Sequence, residues 1–390
     1  MRERLSSSGD VKWSVLRTAF AIGAIAAMAG WFAAHSHSGG DPGGAGRGGA
    51  MPYAVSTEDW PTASGAQSAQ PPNQSAPRSQ EAVSAERGND DASGEPAISV
   101  YLADKKKIET VPLETYVLGV VAAEMPLDFE PAALQAQALA ARTYVVRRLL
   151  AGNRDGVPGG RALVTDQATH QVYRSLADIK RLQAADPEGI RKAKEAVEQT
   201  RDQILTYDGR PIEALFFSSS NGNTENSEDV FSNKLPYLRA VPSPWDTNGS
   251  HRSEETVTMP LAVFYEKLGV SVEASAGLGR PDKLPAVRLM GRTEGRRVKT
   301  LLVGSESFSG AEARDKLGLR SAAFDWRIAN GEIQITTVGY GHGVGMSQWG
   351  AQGMAKEGSG ARQIVEHYYT GVRIAEASKL LEQSGIEAKL

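Results

Sequence analysis

Apolar residues recur at Leu113, Tyr116, Val117, Val120 and Val121, the i, i+3, i+4, i+7, i+8 spacing of an amphipathic helix. The next position of that stripe, i+11, is Glu124, a carboxylate where the pattern calls for an apolar side chain. Pro126 stops the helix almost at once, because Met125 before it is pushed out of the α region. Glu124 is therefore expected at a helix C-terminus on the core-facing side, where desolvation and the negative end of the helix dipole both raise its pKa. A carboxyl that keeps its proton near neutral pH is a candidate general acid. A second periodic stretch opens with Pro131, suited to a first helical turn, and turns Leu134, Ala138, Ala141, Val145 and Leu149 inward. Arg142 lies on or beside that face. The two helices aim one carboxyl and one guanidinium toward a shared interior, as either a structural salt bridge or an acid with a cation that positions its substrate.

Around these helices the pattern is mixed. Paired strands are expected over 97–102 and 107–111, with 103–106 as a charged turn. Residues 153–161 are glycine-rich and loop-like, and 164–173 hold a short extended piece. Residues 187–200 read as a polar helix whose Ile190, Ala193, Ala196 and Val197 form a narrow inward stripe. The runs 203–207 and 212–217 bracket Asp208-Gly209 and read as a β-hairpin, the second strand leading into the polar loop SSSNGNTENSEDVF. Residues 253–319 change character, with a helix near 261–268, basic strands such as 296–302 and the segment SGAEARDKLGL. They read as an inserted second lobe. The chain returns through strands 324–329 and 333–337, turning at Asn330-Gly331. In the last informative segment, GYGHGVGMSQWGAQGMAKEG at 339–358, four glycines allow close backbone approaches and Ser347 is placed to cap a helix. IVEHYYTGV supplies another amphipathic turn or two. The fold class is α+β, with a helix-and-sheet core over 97–252 and 320–390 and a lobe over 253–319 inserted into it.

The N-terminus adds a membrane signal. Arg2, Arg4, Lys12 and Arg17 precede the uncharged run TAFAIGAIAAMAGWFAA at 18–34, with Trp13 and Trp31 placed to mark the interfaces. A cleaved signal peptide is the alternative, but no clean A-x-A site follows the run. The expectation is an uncleaved anchor in the cell membrane, with residues 1–17 cytoplasmic and the rest outside. Residues 35–96, rich in Gly, Ser, Pro, Gln and Ala, read as a disordered linker with a root-mean-square span of roughly 40–45 Å. That reach suits a protein acting on cell-wall polymer.

Of 390 residues, 41% are hydrophobic and 23% charged, enough for a sizeable core and two lobes. A net charge of −3 gives no electrostatic footprint for nucleic acid. The absence of cysteine excludes disulfides, thiolate catalysis and cysteine-bearing zinc sites, and the six histidines are scattered without ligand spacing, so no metal or cofactor is expected.

Other residues carry candidate chemistry beside an ordinary explanation. The glycine-rich segment lacks G-K-[ST] and is no phosphate loop, and GVGMSQW is not a nucleophile elbow around Ser347. His342, between glycines, reaches a ligand or donates to backbone carbonyls. Ser219, its serine neighbours and Asn221 end a hydrophobic strand where neutral groups meet sugar hydroxyls or simply solvate a loop. Tyr237 in PYLRAV stacks on a ring or fills the core. Asp166 and His170 sit in a loop, and Trp245 and Asp246 form either a sugar platform with a second carboxylate or a turn after Pro244.

The segments LETYVLGVVAAEMP, ALQAQALAARTY, TDQATHQVY, SSSNGNTENSEDVF with PYLRAV, LGLRSAAF and GHGVGMSQWGAQGMA together resemble the stage II sporulation protein D family of bacterial peptidoglycan enzymes. They span roughly 97–373 in family order. The same domain occurs in amidase enhancers. The resemblance implies a lytic transglycosylase that cleaves the MurNAc–GlcNAc bond of peptide-stripped glycan strands during spore engulfment. It implies Glu124 as catalytic acid and base, Arg142 and Tyr237 as substrate-positioning residues, and His342 and Ser347 as parts of the glycine-rich signature; with Ser219 and Asn221 of the polar cluster these are the expected substrate-binding positions. Its implied partners are an amidase and endopeptidase and a membrane scaffold protein. Two departures stand out: only His170 remains of a zinc site that some relatives carry, and Trp349 replaces a tyrosine frequent in the family.

Overall fold

The computed structural model describes residues 95–231, 233–248, 254–271 and 284–385. The expected anchor at 18–34, and the linker up to residue 94, lie outside them. Among the described residues no helix is long and apolar enough to cross a membrane.

In chain order, β1 (Ala97–Leu102), β2 (Lys107–Pro112), α1 (Leu113–Glu124), α2 (Pro131–Leu150) and β3 (Val164–Thr165) lead into α3 (Leu176–Ala185) and α4 (Pro187–Gln199). Strands β4 (Gln203–Tyr207), β5 (Arg210–Pro211) and β6 (Phe216–Phe217) follow, then short helices α5 (Ser227–Val230) and α6 (Trp245–Asn248). Next come β7 (Glu254–Pro260), α7 (Leu261–Leu268), β8 (Val287–Arg292), β9 (Val298–Val303), β10 (Glu306–Ser309) and α8 (Gly310–Leu317). The remaining elements are β11 (Phe324–Ala329), β12 (Glu332–Val338), β13 (Met346–Ser347), α9 (Gln348–Lys356), α10 (Ala361–Tyr368), β14 (Arg373–Glu376) and α11 (Ala377–Gln383).

This is an α+β arrangement with two apolar clusters. The first is built around α2, whose run of buried alanines (133, 136, 138, 140 and 141) lets α1, α4, α9, α10 and β4 pack closely against it. The second gathers α7, α8 and the sheets β10-β9-β8 and β11-β12-β7 around Phe264, Tyr265, Leu301, Phe324, Ile333 and Ile335. Strands β11 and β12, expected with the core, belong to this second cluster because β12 pairs with β7 along its whole length. Their turn forms at Asn330-Gly331, where both φ angles are positive (52° and 78°), as a type I′ hairpin requires. Between the clusters, the loop after β6 grips the turn after β8. Glu225 accepts from Thr293 Oγ1 (2.6 Å) and Gly295 N (3.1 Å), beside the buried Arg297.

The hairpin expected over 203–217 forms only in its first two pairs. β4 pairs with β5, and the chain then departs, because β6 finds a parallel partner in β13 while β14 takes the other edge of β4. Helix α3, which no inward stripe announces, starts at a Ser175–Asp178 capping box and buries none of its residues.

Arg142 has no exposed surface, and its partner is Glu114, not Glu124. Nε and Nη2 donate to the two oxygens of Glu114 at 2.8 and 2.5 Å, and Nη1 donates to the carbonyl of Gln203 at 3.0 Å. Thr200 Oγ1 (3.4 Å) and the Val197 carbonyl (3.3 Å) complete the set. Glu114 and Glu124 lie at opposite ends of α1, about 15 Å apart along its axis. The substrate-positioning role expected for Arg142 is thus corrected to a structural one: its donors are taken up inside the protein by α1, α4 and the start of β4. Removing one partner of such a pair strands a buried charge. Arg142→Ala is expected to cost ~3–5 kcal/mol of stability, read as a fall in the urea unfolding midpoint. An unchanged midpoint with weakened ligand binding would return Arg142 to the substrate.

Candidate active site

Glu124 ends α1 because Met125, ahead of Pro126, turns to extended backbone (φ −116°, ψ 141°). The residue is partly accessible, with Oε1 accepting from the backbone N–H of Val172 at 2.8 Å and the side chain of Gln348 close enough to favour its ionised form. Burial pushes its pKa up to about 7, against the lowering effect of those two donors, and no charged neighbour contributes to the shift.

Three segments make these surroundings. The loop carrying Val172 lies against α1 because residue 119 is glycine: a Cβ there would stand 2.2 Å from the Tyr173 ring and 2.8 Å from the Arg174 carbonyl oxygen. Tyr173 stacks on Tyr116 at 5.4 Å, and Tyr116 donates to Gln171 Oε1 at 3.0 Å. From α2, the fully buried Gln137 accepts at Oε1 from Gln348 Nε2 at 3.5 Å. From α9, Gln348 approaches the carboxyl while Trp349 meets Phe129 edge-on at 4.8 Å. The Nε2 atoms of Gln137 and Gln171 are buried without an acceptor. The Val172 amide meets Glu124 and the glutamines belong to the segments packed near it, and the pattern along the chain does not single them out. The one sequence signal for Gln348 is its place directly after the helix cap Ser347.

The other expected binding residues make no hydrogen bond to Glu124, and each has partners elsewhere in the protein. Ser347 is fully buried. Its Oγ accepts from Gly350 N at 3.1 Å and donates to Asp246 Oδ1 at 2.8 Å, so it caps α9 and meets Glu124 only by way of its neighbour Gln348. Tyr237 is buried, its hydroxyl accepting from Glu213 N at 3.1 Å and its ring against Tyr207. Ser219 is buried and exchanges backbone hydrogen bonds with Tyr340. Asn221 donates to the Gly295 carbonyl at 3.1 Å, holding the second cluster. His342 wedges between Phe217 and Phe231, with Nδ1 accepting from Val344 N at 3.1 Å. Burial, helped by Arg314 and Arg297, brings its pKa down to about 3, so it is neutral.

The remaining candidates are also accounted for. Asp246 is no sugar-facing carboxylate, since it accepts from Ser220 (2.6 Å), Ser243 (2.7 Å) and Ser347. Trp245 donates to Glu357 at 2.7 Å. Asp166 accepts from Ala103 N at 3.0 Å. His170 engages Thr165 Oγ1 and the Asp155 carbonyl, and its pKa falls to about 4, chiefly through burial. Among the described residues no group of three or more His, Cys, Asp or Glu is arranged to hold a metal ion.

The raised pKa of Glu124 couples its proton to stability. The folded protein keeps the proton to about pH 7, whereas the unfolded chain releases it near 4.5. Wild-type stability therefore declines as pH rises through that window, by up to ~3 kcal/mol. Glu124→Gln removes the titration. Its melting temperature is expected to match the wild type at pH 4 and exceed it at pH 8; a difference independent of pH would contradict the elevated pKa.

The stage II sporulation protein family profile matches residues 101–207, a stretch that includes Glu124, Gln137, Gln171 and Val172 but not Gln348. Over 288 residues the chain is 44% identical to stage II sporulation protein D of Bacillus subtilis (strain 168), covering 74% of this chain and 81% of that one. The same figures hold for stage II sporulation protein D of Bacillus amyloliquefaciens. A more distant relative, 27% identical over 66% of this chain and 40% of its own, is the amidase enhancer of Bacillus subtilis (strain 168). With a shared sequence of that length and identity, the chain belongs to the stage II sporulation protein D family.

Proposed function

We propose that this protein is a lytic transglycosylase that acts during sporulation, cleaving the MurNAc–GlcNAc bond of peptidoglycan glycan strands already stripped of stem peptides. The observation that carries the proposal is the carboxyl of a partly exposed residue, Glu124, with a pKa pushed up to about 7 by burial and a neutral backbone donor upon it. Such a group is divided between acid and base at neutral pH, and the reaction needs both forms in turn. Protonated Glu124 donates to the glycosidic oxygen as positive charge develops at C1 of MurNAc. The resulting carboxylate takes the proton of the MurNAc 6-hydroxyl as its oxygen attacks C1. The product is a 1,6-anhydro end, and Glu124 regains its proton. Because the substrate supplies its own nucleophile, a single carboxyl suffices, whereas a hydrolase ordinarily sets two at a defined separation.

The setting follows the sequence expectation: residues 18–34 anchor the protein in the membrane during engulfment, residues 35–96 tether it, and the catalytic part works outside. An amidase with an endopeptidase supplies the peptide-free strands, and a membrane scaffold protein holds the assembly. The amidase enhancer among the relatives favours a second reading, a non-catalytic peptidoglycan binder that stimulates a separate amidase.

Incubation of the purified protein with peptide-free glycan strands, followed by mass spectrometry, separates the two. Anhydro-MurNAc ends are expected from the wild type, with Glu124→Gln reducing their formation by about 10²–10⁴-fold. Binding without cleavage, equal in both proteins, would sink the transglycosylase and leave the enhancer. The pH profile gives a further check. With proton donation limiting, kcat/KM is expected to fall above about pH 7, where free Glu124 loses its proton.

A further inference from the structure

The segment that meets Glu124 continues into an unpaired cation. Along 171–176 exposure alternates: Gln171, Tyr173 and Ser175 are buried, while Val172 is half-buried and Arg174 and Leu176 are exposed. That period of two turns the side chains of Val172, Arg174 and Leu176 outward on one face. The segment runs along α1 and is tied to it twice. Val172 N donates to Glu124 Oε1 at 2.8 Å, and Arg174 N donates to the Gly119 carbonyl at 3.1 Å. Gly119 and Glu124 are five residues apart in α1, ~7.5 Å along its axis. Two residues of extended chain, from Val172 to Arg174, span ~7 Å. The two measures agree, and Arg174 stands one short step along the site from the acid.

Among the described residues the guanidinium of Arg174 has no hydrogen-bond or ion-pair partner. The carboxylates that meet this segment are already engaged. Glu109 accepts from the Tyr173 hydroxyl at 2.8 Å and from Leu176 N at 3.2 Å, and Asp178 pairs with Ser175 and Arg181. Lys105 is likewise taken, donating to Ser175 Oγ at 3.2 Å. Arg174 therefore offers an unused planar fork of donors on the solvent side of the site. It leaves the acid alone: no charged group contributes to the Glu124 shift, as expected beyond the ~4–6 Å at which a cation holds a carboxyl ionised.

Peptidoglycan chemistry supplies a matching anion. The stem peptide is joined to MurNAc through an amide on the lactyl ether at C3. Its removal leaves a free lactyl carboxylate on the same ring whose C1 carries the scissile bond, only a few bonds away. We propose that Arg174 is a specificity-determining residue that pairs with this carboxylate when the ring lies at Glu124. The proposal rests on the glycan-strand reading above and adds a reason why stripped strands are taken. An intact stem leaves an uncharged amide there, which gives the guanidinium no ion-pair partner.

The test separates binding from cleavage. Full-length protein carrying Glu124→Gln, which leaves strands intact, is titrated calorimetrically with peptide-free glycan strands. The same strands, with their lactyl carboxylates converted to methylamides, are titrated in parallel. The free carboxylates are expected to raise affinity about fivefold at low salt and less at high salt, as an exposed ion pair does. Adding Arg174→Gln is expected to bring the two strands to equal affinity, and adding Arg174→Lys to restore part of the difference. In the otherwise unaltered protein, Arg174→Gln is expected to raise KM for peptide-free strands about fivefold, with kcat within about twofold and an unchanged melting temperature. A preference that is absent from the start, survives Arg174→Gln, or is lost equally in Lys267→Gln on α7 overturns the proposal, even if glycan is cleaved. A preference that depends on Arg174 in a protein that never cleaves glycan upholds the recognition and overturns the transglycosylase.

Discussion

A guanidinium without exposed surface must find its hydrogen-bond partners inside the protein, and Arg142 finds them on three elements at once. The alanine-rich face of α2 brings the neighbouring helices close, but small apolar side chains alone fix neither the rotation nor the height of α1. The Glu114–Arg142 fork does both, since its two parallel bonds accept one geometry. With its first turn pinned, α1 is a straight rod of twelve residues whose far end is Glu124. The placement of the Glu124 carboxyl thus depends on the opposite end of the helix that carries it.

Keeping the two acidic residues of α1 in different company is what allows each its role. An opposite charge within reach of a carboxyl lowers its pKa by roughly one to three units. Had Arg142 faced Glu124, the carboxyl would have been locked as a carboxylate at neutral pH. The structure spends the cation on Glu114 and surrounds Glu124 with amides and a phenol. Two of those amides keep an unpaired nitrogen, a local cost of about 1–3 kcal/mol each. Polar groups left unsatisfied in this way mark a place where packing was not the governing demand.

Much of this was legible in the chain. The stripe that ran into Glu124 located the helix end and the direction of the pKa shift, because periodicity and a nearby proline are local signals. Asn330-Gly331 marked its hairpin for the same reason, and Ser347 marked the start of α9. What depended on distant partners was not legible. Nothing near Arg142 in sequence reveals that it answers to Glu114, twenty-eight residues away, instead of Glu124. Phe216 and Phe217 alternate plausibly with the hairpin before them, yet pair with residues 346 and 347. Tyr237, His342 and Ser347 are polar groups in conspicuous motifs, and a motif does not distinguish a group that meets a ligand from one that braces the loop presenting it. The neutral glutamines around Glu124 gave no signal, since a glutamine on an inward helix face resembles any tolerated polar residue.

The parallel pairing of β6 with β13 also governs the order in which the molecule becomes complete. Contacts between residues so far apart must wait for the intervening chain, and long-range pairing of this kind is slow to form. Glu124 is synthesised early and its helix can form at once, but Gln348 is among the last tenth or so of the chain to leave the ribosome. Until then the cluster around α2 lacks α9 and α10, so truncation shortly before residue 348 yields a chain that keeps Glu124 but not all the elements packed around its helix pair.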